Sequence, residues 1–139
     1  MLPSEELDDY WIFVRKSENK ESDRQTYGKW MIFKPKEEMD EFFLRVLSVF
    51  EHIEGVDCFK CSTAKKNPLA VSEKTGVFIF YTSYDDILLA AQSICDNLGI
   101  SEKKIYYKTD EQTLAGQYSH NASGRVSKYV YDPRTRTLQ

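Results

Sequence analysis

Gly28-Lys29-Trp30-Met31-Ile32-Phe33-Lys34 reads as a strand, and Pro35 ends it. Aromatic and β-branched residues favour the extended chain, Gly28 opens the run, and proline has no N–H to continue a ladder. Immediately afterwards Met39, Phe42, Phe43, Val46, Leu47, Phe50 and Ile53 recur three and four residues apart, which puts them on one face of an α-helix. Lysine, glutamate and arginine fill the opposite face, and Gly55 supplies the stop.

Outward from this pair, Tyr10 to Lys16 reads as an earlier strand, and Ser17 to Thr26 as a polar loop. Downstream lies a lysine-bearing strand over Phe59 to Lys66, then Asn67-Pro68 and a loop to Gly76. Val77-Phe78-Ile79-Phe80-Tyr81-Thr82 is apolar on both faces, as a central strand must be. Asp85 or Ser83 caps a second helix carrying Ile87, Leu88, Ala91, Ile94, Cys95 and Leu98, and Gly99 closes it. A strand from Lys104 to Lys108 follows, then a polar stretch from Thr109 to Gly124, then a last strand from Arg125 to Tyr131.

This order implies an α+β fold: a curved, mainly antiparallel sheet with two or three helices on one face and the other face open. The expected organisation is one domain over residues 1–139, with frayed ends at about 1–8 and 133–139.

Composition narrows the function. Apolar residues make up 41% and aromatics 14%, as in a packed protein, and a net charge of −3 argues against a surface that coats DNA. No apolar run approaches the ~20 residues of a membrane span, and the acidic start Met1-Leu2-Pro3-Ser4-Glu5-Glu6 is unlike a signal peptide. A cytoplasmic location is the expectation. The three cysteines imply no disulfide framework. Cys58 and Cys61 are three apart in a strand and so face opposite sides, which argues against redox chemistry or a metal site. No cofactor is expected.

The chemistry concentrates in Phe59-Lys60-Cys61-Ser62-Thr63-Ala64-Lys65-Lys66, whose polar positions offer ammonium and hydroxyl groups suited to an anion. Lys29 on the neighbouring strand candidate supplies a second cation. Lys29, Lys60, Ser62, Lys65, Lys108 and Arg125 are the candidate ligand-binding residues. A solvated turn or an edge-strand lysine would produce some of the same pattern. Trp11 and Trp30 fall in strands with expected core roles. His52, near a helix end, reads as structural, whereas His120 lies among hydrogen-bonding side chains in the polar C-terminal stretch.

Several short motifs resemble the messenger-RNA cap-binding translation initiation factor 4E superfamily over roughly residues 27–131. Tyr27-Gly28-Lys29-Trp30 resembles its Gly-Gly-Arg-Trp strand start, Asp40-Glu41-Phe42-Phe43 its Asp-Arg-Phe-Trp helix, and Val77 to Thr82 its Ile-Ala-Ile-Trp-Thr strand. Gly28-Lys29-Trp30, Lys60-Cys61-Ser62-Thr63 and Tyr106-Tyr107-Lys108 through Gly116 are similar to an uncharacterised Bles-type family of that superfamily. The resemblance implies phosphate contacts from Lys29 and one of Lys60, Lys65 or Lys66. The family's base-sandwiching tryptophan and glutamate have no counterpart here, since the loop from Ser17 to Thr26 holds no tryptophan. The chain also resembles phosphothreonine lyases, with Lys29-Trp30-Met31 and Lys60-Cys61-Ser62-Thr63 at their Lys-Phe-His and Lys-Val-Thr-Asp positions. That likeness implies a lysine base, Lys60, and a histidine assisting phosphate departure; Met31 stands where the family carries that histidine, and His120 in the polar C-terminal stretch is the remaining candidate for the role.

Three readings follow. The first is a non-catalytic module binding a phosphorylated small molecule, nucleotide or RNA end. The second is a phosphothreonine lyase-like enzyme working by β-elimination. The third is a protein-interaction domain using the exposed side of the helix from Glu37 to Ile53, with Glu41 and Arg45 as its charged contacts. No membrane or DNA partner is expected.

Overall fold

The computed structural model describes residues 1–16, 26–68, 72–111 and 128–139. Among the described residues, seven strands form one curved sheet: β1 (Trp11–Arg15), β2 (Gly28–Pro35), β3 (Cys58–Ser62), β4 (Thr75–Thr82), β5 (Ile105–Thr109), β6 (Tyr129–Asp132) and β7 (Thr137–Leu138). Their spatial order is β1-β3-β4-β2-β5-β6-β7, and every neighbouring pair is antiparallel. Helix α1 (Met39–Val49) links β2 to β3, and helix α2 (Ile87–Leu98) links β4 to β5. Each of these links steps over one strand, so the two crossovers interleave and place β4 and β2 side by side at the centre.

Side-chain alternation then divides the sheet. Trp30 and Ile32 on β2, Phe59 and Cys61 on β3, Phe78 and Phe80 on β4, and Tyr107 on β5 point to one face and are buried there. Both helices cover that face. Phe42 of α1 meets Phe78 edge-on at 4.8 Å between ring centroids, and Trp30 Nε1 donates to the Ile87 carbonyl at 2.8 Å, tying β2 to the start of α2. Each buried aromatic or branched side chain contributes about 1.5–3 kcal/mol, so this layer carries most of the fold's stability. Arg45 of α1 donates to the Leu98 carbonyl, closing the end of α2.

The α+β expectation holds: the sheet is antiparallel and curved, and α1 and α2 both pack on one side of it. Differences lie at the edges. The helix expected to reach Ile53 ends at Val49 and tightens into a 3-10 turn over Phe50–His52. Gly55 (φ 78°) and Gly99 (φ 68°) take the left-handed backbone that ends each helical segment. β4 starts at Thr75, and β6 covers Tyr129–Asp132, while the rest of the expected last strand lies outside the described residues.

The tail turns back as β7. Asp132 accepts from the Arg134 backbone N–H at 3.0 Å, Arg136 adopts a positive φ, and its guanidinium grips Asp96 of α2 at 2.9 Å. The first residues are likewise held: Ser4 N–H and hydroxyl both donate to Asp40, and Pro3 is buried. Among the described residues, no helix is long and apolar enough to cross a membrane.

Candidate functional site

The face opposite α1 and α2 carries the opposite alternation. On β2 it presents Lys29, Met31 and Phe33; on β4, Val77, Ile79 and Tyr81; on β3, Cys58, Lys60 and Ser62. Register decides which of these meet. Lys29 stands opposite Tyr81, and Lys60 stands opposite Ile79, two residues away on the same strand and therefore on the same face. The Tyr81 ring lies between the two amines, with Lys29 Nζ 5.9 Å and Lys60 Nζ 5.8 Å from its centroid. On the other side of β2, Lys29 is directly opposite Lys108 of β5. Three lysines from three strands thus line one side of the sheet.

Two of them are unusually enclosed. Lys29 is 7% exposed and Lys108 5% exposed, values rare for an ammonium group. Burial lowers the pKa of Lys29, and the neighbouring Asp110 carboxylate partly offsets it. Burial also lowers the pKa of Lys108 and of Lys60, and in both cases the Lys29 charge lowers it further. A charge that depresses two neighbouring amines marks a place where a negative group would be stabilised.

One anion is already present within the chain. Asp110 Oδ1 lies 3.3 Å from Lys29 Nζ, and Asp110 Oδ2 accepts from the Thr26 hydroxyl at 2.7 Å. Gly28 lets β2 and β5 approach this closely. A Cβ there would stand 2.6 Å from the Lys108 carbonyl oxygen and 2.7 Å from the Tyr107 ring.

Aromatic rings complete the surroundings of Lys60. Its Nζ lies 4.0 Å from the Trp11 ring centroid and 5.6 Å from that of Phe13, both on β1. Trp11, expected in the core, is therefore on the open face, whereas Trp30 meets the core expectation at 0% exposure. Phe13 is 57% exposed. Beside it a half-open cavity of about 330 Å³ is lined by Phe13, Arg15, Thr26, Cys58, Tyr81 and Ser83 among others. Burial pushes the Tyr81 hydroxyl up to about 12, so it stays protonated and can donate.

The remaining sequence candidates fall elsewhere. Ser62 lies at the far end of β3, where its hydroxyl accepts from the Val77 backbone N–H at 2.9 Å. Lys65 lies beyond that end and donates to the Asp8 carbonyl at 2.9 Å, with its ammonium 4.4 Å from the Tyr10 ring centroid. Strand direction separates it from Lys29, which sits at the Cys58 end of the neighbouring strands. Lys66 pairs with Glu73 in full exposure. Arg125 and His120 lie outside the described residues. Cys58 faces the open side and Cys61 is buried in the core. Among the described residues no group of three metal-binding side chains occurs.

Sequence reading missed Asp110, Trp11, Phe13 and Arg15. The signal for them was parity: Asp110 is two residues after Lys108, and Trp11, Phe13 and Arg15 share one side of β1.

Comparison with solved structures agrees with this architecture. The chain superimposes on schistosome eIF4E complexed with m7GpppA and 4E-BP, with a TM-score of 0.57 and 15% identity, covering 86% of this chain and 69% of that one. It is similar to Ascaris suum eIF4E-3 with m7G cap (TM-score 0.54, 16% identity, 86% of this chain, 67% of that chain). It also matches C. elegans eIF4E-3 with the 4E-binding protein Mextli and a cap analog (TM-score 0.54, 12% identity, 76% of this chain, 65% of that chain). No family model and no curated protein matches the sequence. At this identity the likeness establishes an eIF4E-like fold.

Proposed function

We propose that the protein is a non-catalytic binding module for a phosphorylated ligand, a nucleotide or an RNA end, held on the open face of the sheet. One observation carries the reading: Lys29 and Lys60 both approach Tyr81, and Lys108 stands opposite Lys29 on the next strand, in a chain whose net charge is negative. Phosphate oxygens accept charge-assisted hydrogen bonds from such amines. The exposed Phe13 ring and the neighbouring cavity give a base a flat surface beside them. The eIF4E structures of the same fold were solved with cap ligands, which lends support by analogy of fold. Placement in the Bles-type family rests on the short motifs around Lys29, Lys60 and Tyr106 and belongs to the same proposal.

The test is a thermal-shift and calorimetric titration with nucleoside mono-, di- and triphosphates, cap analogues and 5′-phosphorylated RNA. A ligand that binds the folded state raises the melting temperature. The Lys29→Ala, Lys60→Ala double variant should abolish the shift, and an undiminished shift in that variant overturns the reading.

A second reading, β-elimination at phosphothreonine, draws on the lowered pKa of Lys60, which favours an amine base. Loss of phosphate from a phosphothreonine peptide, read by mass spectrometry, separates it from simple binding. A third, a protein partner, draws on the helical side, where Leu44 and Leu47 of α1 are 54% and 40% exposed. Arg45 is unsuited to testing that idea, since it also holds Leu98. A Leu44→Asp, Leu47→Asp variant tests it in a pull-down.

A further inference from the structure

We propose that Lys60 is a covalent capture point for phosphorylated aldehydes, its amine forming an imine while Lys29 and Lys108 hold the phosphate. The phosphate half rests on the anion-binding reading above; the amine half stands on the geometry of Lys60 alone.

That geometry differs from every other lysine described. Among the described residues the Lys60 ammonium meets three aromatic rings, those of Trp11 at 4.0 Å, Phe13 at 5.6 Å and Tyr81 at 5.8 Å, and no oxygen at hydrogen-bond distance. Lys16, Lys36 and Lys65 by contrast donate to the backbone carbonyls of Ile53, Thr63 and Asp8, and Lys29 is tied to Asp110. Lys60 therefore gives up no hydrogen bond to the described residues on losing a proton. Half-burial and the Lys29 charge both act to release that proton.

The reaction balances without a further reagent. The ammonium loses one proton to solvent, and the free amine adds to the aldehyde carbon as the C=O π pair moves to oxygen. The resulting carbinolamine loses water, carrying off the aldehyde oxygen, to leave C=N. Protonation of the imine returns a cation to the position that the rings already stabilise, so their attraction favours neither side of the exchange. Tyr81 lies between the two amines. In the proposed arrangement the aldehyde carbon meets Lys60 and the phosphate lies towards Lys29, beside that ring.

Pyridoxal 5′-phosphate is the probe, with pyridoxal as its phosphate-free counterpart. The intact protein is incubated with each, reduced with borohydride, digested, and the modified lysines quantified by mass spectrometry. The expected result is modification of Lys60 ahead of exposed lysines such as Lys66, at least tenfold weaker labelling by pyridoxal, and loss of the Lys60 label in the presence of inorganic phosphate. Lys60→Met, an apolar replacement suited to the ring-lined position, should abolish the label while circular dichroism shows the fold intact. Labelling that simply follows exposure, with Lys66 leading, overturns the proposal. If that occurs while phosphate still raises the melting temperature in a Lys29-dependent way, the capture proposal fails alone. If Lys60 leads with both aldehydes equally and phosphate does not compete, the phosphate half fails, and the anion-binding reading with it.

Discussion

Replacing Asp110 with asparagine should tighten phosphate binding. Asp110 places a carboxylate 3.3 Å from Lys29 Nζ, so a bound phosphate must share Lys29 with an internal anion. A phosphate hydrogen-bonded to Lys29 stands about 5 Å from that carboxylate. Two unit charges at that distance interact by about 3 kcal/mol at an effective dielectric constant near 20. The Asp110 side chain is 31% exposed, and water screening at such a site leaves about half, roughly 1.4 kcal/mol or about a factor of ten in affinity.

The asparagine side chain keeps an oxygen for the Thr26 hydroxyl or Lys29, so the local geometry survives while the charge goes. Lys29 then loses its charged partner, and the unliganded protein should be less stable by about 1–3 kcal/mol. Isothermal titration with orthophosphate and a nucleoside triphosphate, alongside melting temperatures with and without ligand, reads both effects. The expected pattern is a lower melting temperature without ligand, a larger shift on adding phosphate, and a dissociation constant about tenfold smaller. A folded Asp110→Asn variant that binds phosphate unchanged or more weakly refutes the electrostatic argument.

Further outcomes follow from the same geometry. Affinity for phosphate should fall with rising pH sooner than an ordinary lysine value of 10.5 implies, because Lys29, Lys60 and Lys108 all have lowered pKa values; titration across the alkaline range checks this. Stability without ligand should move the other way: between the lowered folded values and 10.5 the unfolded chain binds more protons, so stability rises with pH there, as denaturant melts at several pH values will read. Gly28→Ala should cost well over about 1 kcal/mol and weaken binding, since its Cβ meets the Lys108 carbonyl at 2.6 Å and forces β2 from β5; equal denaturation midpoints for variant and parent would contradict this. Trp30→Phe removes the 2.8 Å bond to the Ile87 carbonyl and leaves a small cavity, so it should destabilise by about 2–3 kcal/mol in urea melts without a specific loss of ligand affinity.

The fold was legible where one periodicity dominates. Met39, Phe42, Phe43 and Val46 give α1 its single apolar face, and residues 77–80 of β4, apolar on both faces, mark a strand between two others. The C-terminal strand was not legible. Arg134-Thr135-Arg136-Thr137 has no apolar alternation, and its order comes from long-range partners, Arg136 with Asp96 and Leu138 opposite Tyr131.

The candidate site divides in the same way. Lys29 and Lys60 stand out as cations at strand positions, but the strand order that puts Tyr81 between them depends on two interleaved crossovers that local sequence does not encode. Ser62 and Lys65 share the motif with Lys60, yet strand direction carries them to the other end of the sheet, where backbone groups of Val77 and Asp8 occupy them. Trp11 read as core because tryptophan is usually buried, whereas β1 is an edge strand with its Trp11, Phe13 and Arg15 side on the open face.

The most direct test of the account is nuclear magnetic resonance of the lysine side chains during titration with a nucleoside triphosphate. If the amines of Lys29 and Lys60 bind one phosphate group together, their ε-carbon signals should shift along a single binding curve, while Lys65 and Lys66 stay in place. Saturable binding in which Lys29 and Lys60 remain unmoved, or in which Lys65 and Lys66 move instead, would contradict it.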